Sequence, residues 1–203
     1  MAQIAMLIPD VNLLVYAYNE DAPFHAASKA WWETRLSGDE PIGLSWAAML
    51  GFIRIMSNRR ALISPMPPFE AVGHCRLWLA QPNVCLVTPG PGHLDILARL
   101  LNGAVGSNLV TDAHLAALAI EHQAELHSND SDFARFSGLK WHNPVAEAAR
   151  SLRRRNSRKR KFGIAAPLAD RLRRILAYIQ RNRSAKGADE SGFAAVNSYG
   201  AGS

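Results

Sequence analysis

The sequence predicts an α/β domain, with a central parallel sheet flanked by helices, followed by a basic C-terminal extension. Short apolar segments of strand length alternate with longer segments of helical periodicity up to about residue 146. Charge divides the chain at the same point: residues 1–146 hold 9 basic and 13 acidic side chains, whereas residues 147–203 hold 14 and 4. We therefore expect a domain of net charge −4 over 1–146 and an extension of net charge +10 over 147–203. The extension is expected to be partly helical and partly disordered.

The predicted elements alternate in the order expected of βαβ units. Five strands are predicted at 4–9, 41–45, 83–88, 125–128 and 139–142. Six helices are predicted at 11–18, 24–36, 46–57, 69–81, 93–102 and 111–124. Ser45 is expected to cap the third helix and Thr111 to open the last one. The third helix is apolar on nearly every side, so we expect it to be buried.

Three carboxylates occur at equivalent points of this pattern. Asp10 follows the first strand, Asp112 is in the first turn of the last helix, and Asp130 follows the fourth strand. In a parallel sheet the strand ends and the starts of the following helices share one edge, where ligands bind. Three converging carboxylates repel one another unless a cation lies between them, and oxygen ligands favour Mg²⁺ or Mn²⁺. The chemistry indicated is metal-assisted hydrolysis of a phosphodiester.

Each acid also has a purely structural interpretation. Asp10 is a favoured cap for the helix that follows it. Asp112 suits the dipole at the start of its helix. Asp130 and Asp132 belong to a segment, Asn-Asp-Ser-Asp, that resembles a turn and a helix cap.

The combination of four segments resembles a known family. They are Pro9–Leu14, Thr111–Ala119, Ser128–Phe133 and Gly138–Pro144. Together they resemble the PIN domain, and within it the VapC-type toxins of bacterial toxin–antitoxin pairs, over residues 4–146. The resemblance implies a Mg²⁺-dependent endoribonuclease that is neutralised by a small cognate antitoxin and is usually a homodimer.

The resemblance also assigns roles to residues of this chain. Asp10 and Asp112 are implied to be metal ligands, and Asp130 is implied to complete the catalytic acids. Three further side chains are implied to support these acids: Asn12, Thr111 and Asp132. The chain departs from the family at Gly51, where many PIN domains carry a glutamate, and this departure puts a second metal ion in doubt.

Arginines are the candidates for contact with RNA. Arg59 and Arg60 lie in a predicted loop, and Arg153, Arg154 and Arg155 lie in an arginine-rich block of the extension. Such blocks are typical of non-specific contact with nucleic-acid phosphates.

Two other functions fit parts of the sequence. Without an acid at residue 51, the domain is also consistent with a module that binds RNA or an antitoxin and cleaves weakly or not at all. A phosphotransferase using Asp10 as nucleophile is disfavoured, because such enzymes need Asp-x-Asp and residue 12 is Asn. With two cysteines, no signal-peptide pattern and no apolar run of bilayer length, we expect a cytoplasmic protein without membrane contact.

Overall fold

The structure is a computed structural model that describes residues 6–102 and 109–147. These residues form a five-stranded sheet in the order β3-β2-β1-β4-β5, with every pair of neighbours parallel. The strands are β1 (Leu7–Pro9), β2 (Ile42–Ser45), β3 (Val84–Val87), β4 (Glu125–His127) and β5 (Lys140–His142). The predicted parallel sheet flanked by helices is confirmed.

In the part of the chain that the structure describes, six α-helices and one 3-10 helix accompany the sheet. They are α1 (Val11–Tyr18), α2 (His25–Leu36), α3 (Trp46–Met56), α4 (Pro68–Leu79), α5 (His93–Leu101), α6 (Leu109–Glu121) and the 3-10 helix Ser131–Arg135. Ser45 caps α3 as predicted, because its side chain accepts a hydrogen bond of 3.1 Å from the backbone N–H of Ala48.

Strand β1 is at the centre of the sheet and sets its register. Pro9 at its end is aligned with His127 at the end of β4, and the backbone N–H of Asp10 donates to the His127 carbonyl over 2.9 Å. Because the strands are parallel, their carboxyl ends lie on one edge, which we call the carboxyl edge. Asp10, Ser45 and Ser128 therefore occupy this edge together.

The core lies on both faces of the sheet, since successive strand residues point to opposite sides. Leu7 belongs to the cluster that packs α1 to α4 against one face, together with Trp32 and Phe52. Ile8 belongs to the cluster that packs α5 and α6 against the other face, together with Leu115.

Helix α3 is less buried than its composition predicts. Met49 and Phe52 are buried, but Trp46 and Leu50 are 56% and 57% exposed. The helix lies at the surface of its layer, so its outer side faces solvent despite being apolar. The prediction of a helix buried on all sides is wrong.

Helix α6 also differs from the prediction at its start. Its described part begins at Leu109, so Thr111 lies within the first turn and does not open the helix. The segment 103–108 before it is outside the described residues.

The described helices include none that is long and apolar enough to cross a membrane. The two cysteines, Cys75 and Cys85, are both free. Apart from Glu147, the predicted basic extension lies outside the described residues. The boundary after residue 146 therefore stays a prediction.

Candidate active site

Asp10 is the most buried of the three predicted acids. It directly follows β1 and caps α1, with its Oδ1 accepting a hydrogen bond of 2.6 Å from the Val11 backbone N–H. Its Oδ2 accepts a second hydrogen bond of 2.7 Å from the Ser128 hydroxyl. Only 5% of the residue is exposed. One side chain therefore both caps α1 and lies at the carboxyl edge of the sheet.

Asp112 and Asp130 approach Asp10 from two other elements. Asp112 is half-buried on the first turn of α6, and Asp130 is exposed just after β4. Asp130 caps the 3-10 helix, accepting a hydrogen bond of 2.8 Å from the Asp132 backbone N–H on its Oδ1. Both carboxylates act electrostatically on Asp10, so the structure brings the three predicted acids into one charged group.

The pKa values of two of these acids are shifted upward. Burial raises the pKa of Asp10 to about 6, the hydrogen bonds from Ser128 and Val11 oppose this shift, and Asp112 and Asp130 add to it. Burial also raises the pKa of Asp112, and repulsion from Asp130 and Asp132 raises it further. Negative charge at this edge is thus unfavourable in the protein alone, and a bound cation would relieve it.

Ser128 is a site residue that the sequence analysis missed. It is fully buried, and its Oγ donates to Asp10 while accepting from Asn12 Nδ2 and the Asp130 backbone N–H, both at 2.9 Å. One hydroxyl thereby links β4, α1 and the segment that carries Asp130. A signal was present, because a serine at the end of a buried strand and two residues before an acid needs hydrogen-bond partners there.

The three residues predicted to support the acids have different positions. Asn12 holds Ser128 and also accepts a hydrogen bond of 3.3 Å from the Asn129 backbone N–H. Asp132 contributes its backbone N–H to Asp130, and its carboxylate raises the pKa of Asp112. Thr111 is exposed on α6, and within the described residues its hydroxyl forms no hydrogen bond to the acids.

Gly51 lies where α3 packs against α1. A Cβ atom at this position would be 3.0 Å from Val11 Cγ2, which is closer than an ordinary van der Waals contact. Val11 follows Asp10 directly, so residue 51 is beside the carboxyl edge yet offers no ligand.

Among the described arginines, Arg135 is the one whose charge reaches the acids. It lowers the pKa of Asp112, and its Nη2 is 3.7 Å from Asp132 Oδ1. Arg59 and Arg60 are exposed, but they follow the C-terminal end of α3, whose 11 residues span about 16 Å from the Ser45 end. Arg153, Arg154 and Arg155 lie outside the described residues.

The donor set of this edge suits a hard divalent cation. Across residues 6–102 and 109–147, no three His, Cys, Asp or Glu side chains are arranged to hold a metal ion as they stand. Mg²⁺ does not need such a cage, because it keeps several waters and takes one or two carboxylates plus a substrate phosphate. Among the described residues, each oxygen of Asp10 accepts one hydrogen bond, which leaves a further lone pair suited to a cation.

Comparison with known proteins identifies the family. The family model of the PIN domain matches residues 7–139. The chain belongs to the PIN domain family. Its PIN domain is similar to Ribonuclease VapC33 of Mycobacterium tuberculosis, with 48% identity over 143 residues that make up 70% of this chain and 100% of the relative. Ribonuclease VapC37 of the same species is 44% identical over 142 residues, covering 70% of this chain and 99% of the relative.

Solved structures share the fold of the PIN domain. VapBC2 from Rickettsia felis, bound to a DNA fragment from its promoter, has a TM-score of 0.50 at 17% identity. The match covers 68% of this chain and 98% of that one. VapBC-1 from nontypeable Haemophilus influenzae also has a TM-score of 0.50, at 14% identity, covering 69% of this chain and 98% of that one.

Proposed function

We propose that this PIN domain is a Mg²⁺-dependent endoribonuclease and the toxin of a toxin–antitoxin pair. The observation that carries the proposal is the mutual repulsion of Asp10, Asp112 and Asp130 at the carboxyl edge. Mn²⁺ is expected to replace Mg²⁺, since it takes the same oxygen ligands. The names of the similar VapC proteins, which are ribonucleases, support RNA as the substrate.

Asp10 and Asp112 are the residues that would hold the ion. When bound, it supplies a Lewis acid that polarises a phosphoryl oxygen and makes a water molecule more acidic. Ser128 and the Val11 backbone N–H fix both oxygens of Asp10, so this carboxylate keeps one orientation through the reaction.

Asp130 has a different role, because it is exposed and its backbone is held by Ser128. Its Oδ1 accepts from Asp132, which leaves Oδ2 to accept a hydrogen bond from the attacking water and to take its proton. Arg135 lies close enough to Asp112 and Asp132 to offer a positive charge to the RNA phosphate.

The partner we propose is a small antitoxin, with a second copy of this chain as an alternative or additional partner. Exposed apolar side chains that such a partner would cover include Trp46 and Leu50, one turn apart on α3, and Leu94 on α5. The similar VapBC structures have names that combine a VapB and a VapC protein, which supports an antitoxin.

The location we propose is the cytoplasm. Its RNA substrate would be found there, and the two free cysteines are consistent with a reducing compartment.

A second candidate function follows from Gly51. With no acid beside Val11, the edge provides fewer ligands than in many PIN domains, and a module that binds RNA or antitoxin but cleaves poorly is the alternative.

Incubation of the purified full chain with total RNA distinguishes the two functions. Cleavage that requires added Mg²⁺, stops with EDTA and returns with excess Mg²⁺ is the expected result. RNA that is bound but remains intact at every Mg²⁺ or Mn²⁺ concentration would favour the binding module.

A further inference from the structure

Helix α6 carries Asp112, but its packing surface does little to fix its position along its own axis. Four of its six buried side chains are alanines, which form shallow ridges against the sheet. Such a surface sets how closely the helix approaches the sheet and resists sliding only weakly. Directional contacts are therefore needed to fix the position of Asp112 along the axis of α6.

A chain of hydrogen bonds between α5 and α6 provides such contacts. His93, at the start of α5 and only 5% exposed, has its Nε2 2.9 Å from His114 Nδ1. Its Nδ1 is 3.1 Å from Glu121 Oε2. The two imidazole rings are 4.9 Å apart and nearly perpendicular.

Glu121, the last member of this hydrogen-bond network, is held by the backbone that precedes α5. Glu121 accepts a backbone hydrogen bond from Gly90, which is the main reason that the pKa of this carboxyl lies below its ordinary value. A Cβ atom at residue 90 would be 2.5 Å from Glu121 Oε1, so only glycine allows this approach. His122, the next residue, adds a contact of 3.0 Å from its Nε2 to the Thr88 carbonyl oxygen.

The Glu121 carboxylate fixes the direction of one hydrogen bond of this network. A carboxylate only accepts, so His93 Nδ1–H donates to Glu121 Oε2. The second bond joins His93 Nε2 and His114 Nδ1, and one of these two nitrogens donates to the other. His93, the buried central residue, thus has both ring nitrogens paired, which holds its ring in one orientation between the two partners on α6.

The geometry points to His93, His114 and Glu121 as positioning residues. They fix the position of α6 along its own axis, and with it the position of Asp112 at the carboxyl edge. His114 and Glu121 are seven residues apart on α6, which is about 10 Å along the helix axis. One side chain of α5 thus joins α6 at two levels, which resists both sliding and rotation. The inference relies on the proposed function only for the role of Asp112 as a metal ligand.

The test compares His93→Leu with Trp78→Phe in the full chain. His93→Leu removes the centre of the hydrogen-bond chain and keeps an apolar side chain in its place. Trp78→Phe is the matched control, because it removes a part-buried hydrogen bond from the buried Trp78 to the Tyr18 hydroxyl, at the core cluster on the opposite face of the sheet. Mn²⁺ affinity is measured by electron paramagnetic resonance, and amide hydrogen exchange is measured over residues 113–116 in metal-free protein.

We expect His93→Leu to weaken Mn²⁺ binding about tenfold, the range seen when partners behind a metal ligand are removed. Exchange over residues 113–116 should accelerate more than in the rest of the chain. Trp78→Phe should lower the melting temperature while Mn²⁺ affinity stays as in wild type. If His93→Leu does not fold, Glu121→Ala is judged by the same two measurements.

Unchanged Mn²⁺ affinity and unchanged local exchange in the folded variant would overturn the inference. The hydrogen bonds among His93, His114 and Glu121 would then be a purely structural feature. Wild-type protein that binds no Mn²⁺ would overturn the proposed function instead. The exchange measurement needs no metal, so it still decides whether these hydrogen bonds position α6.

Discussion

Ionisation of Asp10 is costly to the folded state, because burial and the nearby carboxylates Asp112 and Asp130 oppose its negative charge. Its pKa of about 6 exceeds the ordinary 3.8, so the folded state holds its proton more tightly than the unfolded chain does. At neutral pH the ionised form costs roughly 3 kcal/mol of folding free energy. A cation that binds the folded carboxylate would recover this stability.

Ser128 is predicted to matter more than its size suggests. In Ser128→Ala, Asp10 loses a donor, and the Asn12 amide and the Asp130 N–H lose their acceptor. We expect a loss of about 1–3 kcal/mol of stability in urea unfolding. The pKa of Asp10 should also rise further, which moves the pH midpoint of cleavage upward.

The control for this serine is Ser37→Ala at the exposed end of α2, where Oγ bonds only to carbonyl groups of its own helix. It should change stability by less than about 0.5 kcal/mol. Equal effects of the two substitutions, or an unchanged pH midpoint in Ser128→Ala, would refute the role assigned to Ser128.

The three acids could be picked out from the sequence, whereas only some of their partners could. Asp10, Asp112 and Asp130 each follow a recognisable strand end or helix start. The position of Ser128 at a strand end indicates a need for hydrogen-bond partners, but which side chains meet it depends on the fold, since its partner on α1 is 116 residues away in the sequence. Asp112 could be placed from the sequence, but the direction of the side chain of its neighbour Thr111 could not.

Strand β2 depends on a glycine for its place in the sheet. A Cβ atom at Gly43 would be 2.7 Å from Val87 Cγ1 and 2.9 Å from Met6 Sδ. Gly43→Ala should therefore destabilise the protein by about 1–3 kcal/mol through overpacking, measured as a lower urea midpoint.

Gly73→Ala in α4 is the matched control, because nothing lies within 4 Å of a Cβ atom there. Replacing a helical glycine in open space should raise stability by up to about 1 kcal/mol. Two substitutions with the same sign would contradict this description of the packing.

The helices and strands were predictable because short apolar segments alternate with longer ones between turn and cap residues, but their exposure was not. Trp46 and Leu50 are apolar, and their composition alone indicates burial. Whether an apolar helix face meets the core or remains open to solvent depends on which other elements the chain supplies to cover it. The same limit applies to α6, whose described part already includes the two residues before Thr111.

The pH dependence of the free energy of unfolding is expected to be dominated by two groups with large and opposing pKa shifts, Asp10 and His127. Burial lowers the pKa of His127 to about 3, so the unfolded chain binds more protons there and stability rises with pH between about 3 and 6.5. Asp10 has the opposite sign between about 3.8 and 6, because the folded state binds more protons. Each contributes up to about 1.4 kcal/mol per pH unit, so the two contributions nearly cancel between pH 4 and 6.

Urea unfolding at several pH values tests this cancellation in metal-free protein. Asp10→Asn should leave a stability that increases from pH 4 to 6, whereas His127→Phe should leave one that decreases. Parallel pH profiles in wild type and both variants would show that neither group titrates as the structure indicates.

The three acids of the carboxyl edge are proposed to form one metal-dependent nuclease site. The cleavage rate of one RNA at saturating Mg²⁺ is therefore compared for wild type, Asp10→Asn, Asp112→Asn and Asp130→Asn, each verified as folded by circular dichroism. We expect cleavage by the wild type and a loss of at least about a hundredfold in every variant, because each substitution removes a charge without changing the volume. Wild-type rates that persist in both Asp10→Asn and Asp112→Asn would refute the proposed site.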